Sequence, residues 1–287
     1  MVFIYNLCYE VQYFKVVYIM NFKSLKEKCE YYRSLPDYRL MPNMNMLVML
    51  DGKNFSTLVK NNFELPFDDK FIDMINETAL TLCKKVQGVK FAYTQSDEIS
   101  LLITDYDTNE TETLFNGRLC KIQSILASMA TSEFNRHFIP YQAYEKAVVN
   151  DPLYNIANMK MAMFDCKAWV VPNLNDVYAW FLYRQYDCIR NSKQQAAQTY
   201  LSHKELMNLD TDQQVKLLKS LHGIDWNEYP DGCKFGRFCY KESQQFKKVL
   251  ESGEEVEFER KKFVCNPAFE LKDNYYEFVK KCNLYTE

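Results

Sequence analysis

Met49-Leu50-Asp51-Gly52-Lys53-Asn54-Phe55 closes the apolar run Met46 to Leu50 with an Asp-Gly pair. A run this short reads as a buried strand, and the Asp-Gly after it is turn chemistry, so Asp51 belongs at a strand's C-terminal end. The next stretch of the same kind is Tyr93-Thr94-Gln95-Ser96-Asp97-Glu98-Ile99-Ser100. It lies between the β-rich runs Val89 to Ala92 and Ile99 to Thr104, a hairpin pattern with Asp97 near its tip. If the first strand pairs antiparallel with the hairpin's second strand, Asp51 and Asp97 become neighbours. Two carboxylates at one sheet edge suit Mg²⁺, a hard cation that takes one or two carboxylates plus substrate phosphates. Two such ions can clamp the attacking and leaving oxygens of an in-line phosphoryl displacement. Taken singly, each motif is no more than a turn or a solvated hairpin tip. The pair is informative because a strand, a helix and a strand separate its members.

Phe71 to Lys85 reads as an amphipathic helix, with Phe71, Met74, Ile75, Thr78 and Leu82 on one face. Leu114 to His137 reads as a second helix and Met161 to Val171 as a fourth strand. The order strand, helix, strand, strand, helix, strand is that of a split βαβ, ferredoxin-like α+β sheet, in which strand one lies beside strand three. Arg118 and Lys121 are three apart on one helical face and could reach one ligand, or could simply be solvated.

From Asn175 the pattern turns helical: Asp176 to Arg190, Gln194 to Leu201, and a helix opened by a capping box from Thr211 to Gln214. Two strand-like runs, Lys234 to Tyr240 and Val256 to Val264, precede an amphipathic stretch, Lys272 to Lys281. The expected organisation is an N-terminal extension over 1–19, a catalytic domain over 20–174 and a mainly helical lobe over 175–287. Arg184, Arg190, Lys193, His203, Lys204, Lys234 and Arg237, with Asn191 among them, concentrate positive charge here, interleaved with Tyr183, Tyr186 and Tyr200. That mixture suits an RNA backbone, the alternative being a solvated helix face.

With a net charge of −3 and a pI near 5.8 the chain has no global basic field, so contact with nucleic acid must come from local patches. The ten cysteines form no C-x-x-C pair and only three histidines occur, which removes zinc-ribbon and thioredoxin readings and points to reduced thiols in a cytoplasmic setting, mitochondria being left open. Neither a P-loop nor a G-x-G-x-x-G fingerprint is present, so phosphate must be held by metal and basic side chains. Residues 1–19 lack a long apolar core or cleavage site, and no membrane span is expected.

Four motifs, Leu50-Asp51-Gly52-Lys53-Asn54-Phe55, Gln95-Ser96-Asp97-Glu98, Phe164-Asp165-Cys166-Lys167 and Arg184-Gln185-Tyr186-Asp187-Cys188, stand in the order and approximate spacing of one family. Over residues 46 to about 240 the chain resembles the histidine-tRNA guanylyltransferases, in particular the guanylyltransferase-like branch that polymerises RNA in the 3′-to-5′ direction. The resemblance implies a polymerase palm and two Mg²⁺ ions held by Asp51, Asp97 and the Gly52 carbonyl, with Glu98 as a supporting catalytic carboxylate. It further implies nucleotide contacts at Lys53, Asn54, Phe55, Ser96, Arg118, Lys121 and Lys167, with ATP and GTP or other NTPs as substrates. A tRNA partner and a homotetramer complete what it implies.

The family usually carries arginine two residues before the first aspartate and a basic residue just before the Pro-x-Asp loop, where this chain has Met49 and Leu65, so the 5′-activation step lacks its usual cations. A His-Ile-Asn-Asn run marks histidine-tRNA specialists, whereas this chain reads Ile189-Arg190-Asn191-Ser192. The expected activity is therefore template-dependent repair of truncated tRNA 5′ ends. The alternatives are a dedicated guanylyltransferase, a nucleotidyl cyclase sharing the palm, and a non-catalytic RNA-binding relative.

Overall fold

Every residue of β1 (Asn45–Gly52) is buried except Met49 and Asp51, which are half-buried. Such a strand needs cover on both faces, and its neighbours supply it. The computed structural model describes residues 22–148, 159–249 and 255–284, so the extension expected over 1–19 lies outside the described residues. It divides into two units, Met1–Arg39 and Leu40–Glu287. In the first, α1 (Leu25–Ser34) begins where the Ser24 hydroxyl accepts the Glu27 N–H at 3.1 Å, and it buries none of its residues.

The second unit continues from β1 through α2 (Phe55–Asn62), α3 (Asp69–Lys85), the hairpin of β2 (Val89–Gln95) and β3 (Glu98–Ile103), α4 (Leu119–Val148) and β4 (Phe164–Val171). Then come α5 (Leu174–Tyr200), α6 (His203–Leu206), α7 (Thr211–His222), α8 (Asp231–Lys234), β5 (Arg237–Val249), β6 (Glu255–Pro267) and α9 (Tyr275–Lys281). The strands form one six-stranded sheet in the order β4-β1-β3-β2-β5-β6. Its first four strands have the expected ferredoxin-like arrangement, with β1 antiparallel to both β3 and β4.

Period-two alternation sorts the strands into two cores. Met46, Val48 and Leu50 pack with Phe71, Ile75, Ile122 and Phe134 of α3 and α4. Leu47, Phe91 and Tyr93 pack with Val177 and Phe181 of α5 and Phe278 of α9. Asp51, in step with Leu47 and Met49, therefore projects on the α5 face.

Three expectations change. No separate helical lobe begins at residue 175, because β5 pairs with β2 from Phe91↔Tyr240 to Thr94↔Arg237 and so extends the catalytic sheet. The two helices expected over 176–201 are one. No Gly or Pro interrupts them, and the buried Ser192 hydroxyl is satisfied by donating to the Ile189 carbonyl at 3.0 Å. The capping box of α7 is set one residue earlier than expected, with Asp210 as N-cap and Gln213 as its partner.

Candidate active site

The ladder registers build a row of carboxylates. Asp51 pairs with Glu98 across β1–β3 and with Asp165 across β1–β4. Directly opposed residues share a face, so Glu98, Asp51 and Asp165 stand side by side on three strands. Asp97 adjoins them in the two-residue turn between β2 and β3, where Ser96 takes a left-handed conformation at φ 47. Gly52 follows Asp51 where only glycine fits, since a Cβ there would lie 2.3 Å from the Phe55 ring. The antiparallel pairing thus brings Asp51 and Asp97 together, with Gly52 beside them.

This row is short of positive charge. Burial pushes the Asp97 carboxyl up to about 6, and the neighbouring Asp51 adds to the rise against hydrogen bonds from its own backbone and Ser96. Asp51 is raised by burial and then by Asp165, with Lys167 and Arg184 opposing. Glu98 is also raised by burial, despite Arg184. A pair of carboxylates held this way fits a divalent cation, which would relieve the repulsion. Among the described residues no three His, Cys, Asp or Glu side chains close into a cage. A dication here would rest on two carboxylates and draw its other ligands from a backbone carbonyl, water and phosphate, the preference of Mg²⁺.

A cleft of about 920 Å³ opens over these residues. Asp51, Gly52, Asp97 and Glu98 line it, as do Asn54, Ser96 and Asn191. Lys60 and the α5 amides Gln195 and Gln198 also line it, none of them singled out from the sequence, as does Arg237 of the expected basic patch. Gln195 ties the opposite rim by donating to the Pro66 carbonyl at 2.6 Å.

The other expected nucleotide contacts scatter. Lys53 is exposed, its N–H donating to the Met163 carbonyl at 2.8 Å. Lys167 is exposed on β4, directly opposite Met49 on the Asp51 face. Phe55 lines the cleft as part of its floor: the residue is 1% exposed and its ring packs on Phe71, Phe134 and Phe164. Arg118 and Lys121 lie apart from the cleft. They start α4 just after Gly117, whose carbonyl accepts the Leu40 N–H at 2.8 Å. That anchors them near the entry to β1, a strand's length from Asp51 at its exit, roughly 20 Å at the usual rise per residue. They do not share its site.

The expected RNA contacts divide as well. Arg184 faces inward, 9% exposed, with its guanidinium on Glu98 and Asp187. Lys193 is occupied, its ammonium 2.6 Å from Asp212 and 4.9 Å from the centre of the Trp226 ring. Both were expected to meet RNA, and neither is directed to solvent. Arg190 is 60% exposed, though 2.8 Å from Asp187, and His203 and Lys204 are exposed on the short α6. Asp165 was not chosen as a site residue from the sequence. Its signal was present in Phe164-Asp165-Cys166-Lys167, because strand alternation puts Asp165 on the Asp51 face once β4 is placed beside β1.

A family model described as Thg1, tRNAHis guanylyltransferase, matches residues 26–172. The tRNA(His) guanylyltransferase of Neurospora crassa is 28% identical over 259 residues, which cover 88% of this chain and 82% of that protein. A bacterial tRNA(His) guanylyltransferase (Thg1)-like protein, solved in complex with ATP, superposes with a TM-score of 0.74 at 29% identity, covering 91% of this chain and 100% of that one. A bacterial protein of the same description, solved in complex with GTP, gives a TM-score of 0.67 at 27% identity over 92% of this chain and 100% of its own.

Proposed function

The chain belongs to the tRNAHis guanylyltransferase family, and from that premise we propose that it adds nucleotides to the 5′ end of truncated tRNA, reading the opposite strand as template. The observation that carries the reading is the pairing of Asp51 with Glu98, which sets Asp97 beside Asp51 at the mouth of the cleft. Asp51, Asp97 and the Gly52 carbonyl would hold two Mg²⁺ ions, which when bound stabilise the charge on the attacking and leaving oxygens of phosphoryl transfer. The 3′-hydroxyl of the incoming nucleotide attacks the 5′ α-phosphorus, expelling AMP from an adenylylated end or pyrophosphate from a triphosphorylated one.

The chain's own groups do the positioning. Glu98 is fixed by Arg184 and borders both metal-binding carboxylates. Ser96 and Asn54, in left-handed backbone at the cleft wall, can approach a triphosphate closely. Lys167 supplies positive charge next to Asp51, and Lys53 is exposed one residue beyond Gly52. Arg190, Asn191, His203 and Lys204 would track the RNA backbone, a role that positions without reading sequence. Solved relatives with ATP and GTP bound support nucleotide substrates of this kind. A homotetramer belongs to the same proposal on family likeness, and a cytoplasmic setting on the reduced thiols; no described helix is long and apolar enough to cross a membrane.

A dedicated guanylyltransferase is the second reading, favoured by the names of the relatives. Ile189-Arg190-Asn191-Ser192 speaks for repair. The test offers several tRNAs, each truncated by one 5′ nucleotide, with Mg²⁺, ATP and all four NTPs, and sequences the 5′ ends. Addition of whichever base pairs with the opposing strand is expected. Addition of G regardless of that base, or action on the histidine acceptor alone, replaces repair with dedicated guanylylation.

A further inference from the structure

A second concavity, about 560 Å³ in volume, lies at the end of β2 away from the cleft, where the last turn of α3 meets the base of the β5–β6 ribbon. Lys84, Lys90, Lys241, Lys261 and Lys262 line it, with Asp107 as the one carboxylate. Lys90 is paired with that carboxylate at 2.5 Å. The other four ammonium groups have no carboxylate partner among the described residues. Lys241 lies 5.3 Å over the Phe263 ring and Lys262 4.1 Å over the Phe246 ring, while Lys261 donates to the Asn283 amide oxygen at 3.3 Å. In a chain whose net charge is −3, four cations gathered around one hollow are a local reversal of sign.

We propose that this lysine-lined hollow is a phosphate-binding site that holds the tRNA backbone at a distance from the reacting 5′ end. The inference rests on the tRNA-extending reading above. Lysines act on phosphate as point charges and need no bidentate geometry, which suits a contact that positions RNA without reading it. The Phe263 ring is covered by the Lys241 ammonium, which leaves little for a base to stack on. The lining thus favours a backbone over a free nucleotide. From Lys90 to Gln95, at the cleft, β2 spans roughly 17 Å at the usual rise per residue, a distance that one RNA molecule bridges without bending.

The test is Lys84→Gln/Lys241→Gln/Lys261→Gln in the full chain, with the triple Lys→Arg variant as a control that keeps the charge. Lys262 is left alone because its contact with Phe246 helps to hold the ribbon. Binding of truncated tRNA is measured from 50 to 250 mM salt, with single-turnover nucleotide addition at saturating tRNA alongside, and inorganic triphosphate as a competitor. For three lost phosphate contacts the log–log salt slope should fall by about 2 to 3, with affinity down about tenfold or more at low salt. The addition rate at saturation should not change, and the arginine variant should restore binding. An unchanged slope and affinity in a folded glutamine variant overturns the proposal. So does triphosphate binding that is lost in the variant while tRNA binding is kept, which would make the hollow a free-polyphosphate site. Failure of the wild-type chain to add any nucleotide refutes the proposed function instead, and tRNA binding still judges the lysines.

Discussion

Arg184 joins α5 to the β2–β3 hairpin by a two-pronged ion pair with Glu98, its Nε donating to Oε1 at 2.8 Å and its Nη2 to Oε2. Its remaining nitrogen donates to Asp187 at 2.5 Å. The Arg184 and Glu98 side chains are only 11% and 7% exposed, so removing the cation strands a buried carboxylate. Arg184→Met should cost about 3–5 kcal/mol in urea unfolding. Arg184→Lys should recover part of this, because one ammonium cannot grip both oxygens. Adding Glu98→Gln to Arg184→Met should restore stability; strictly additive losses would show that the two residues do not act as a pair.

Asp51→Asn and Asp97→Asn should each lower nucleotide addition by about 10²-fold or more, the usual scale for losing a group that stabilises transition-state charge. Neither should unfold the protein. Burial and mutual repulsion disfavour both carboxylates in their ionised form, so neutralising either leaves the melting temperature unchanged or higher. Near-normal addition by both variants would remove the metal-site assignment.

Acidity should act through Asp97. Its folded carboxyl is raised from 3.8 to about 6, so in metal-free protein its ionisation is unfavourable to the fold: the penalty is absent below pH 3.8 and fully present above about 6. A dication bound there competes with the proton and cancels that penalty. The rise in melting temperature produced by Mg²⁺ should therefore be small near pH 5, grow through pH 6 and level off above it. A Mg²⁺ effect that is flat across this range would exclude Asp97 as a ligand.

The neighbourhood of Asp51 and Asp97 was legible because it depends on short-range signals: an apolar run ended by Asp-Gly, a hairpin tip, and the strand order that follows from alternating elements. What escaped depends on long-range pairing. The runs containing Phe238 and Val264 read as strands, yet nothing local says that β5 joins β2 and merges the expected lobe with the sheet. Charge in a helix is similarly mute about direction. Arg184 and Arg190 are six residues apart on α5, and only the packing of that helix decides that one grips Glu98 while the other stays exposed. Lys193 looked available because Asp212, its partner, is far along the chain. Arg118 and Lys121 follow β3, which runs from Glu98 opposite Asp51 to Ile103 opposite Met46, so the chain has left the Asp51 end before α4 begins.

The last expectation concerns the 5′ end that the enzyme accepts. Met49 stands where the family resemblance calls for a basic residue, and it faces Lys167 across β1–β4 and Ser100 across β1–β3. Leu65, at the second such place, is 41% exposed on the loop that lines the cleft. Lys167 is thus the cation nearest to replacing them on the Asp51 face, one lysine doing the work of two basic residues. Adenylylating a 5′-monophosphate gathers more phosphate charge in the cleft than using a ready-made triphosphate. The enzyme should therefore extend 5′-triphosphorylated RNA faster than the 5′-monophosphorylated form. Met49→Arg should narrow that gap by raising the monophosphate rate, since arginine grips phosphate with two donors where methionine has none. Lys167→Ala should slow both substrates. The measurement is the single-turnover rate on a matched pair of truncated tRNAs differing only in the 5′ phosphate. Equal wild-type rates on the two ends would mean that Arg237, or another cation of the cleft, supports the activation in place of the basic residues absent at Met49 and Leu65.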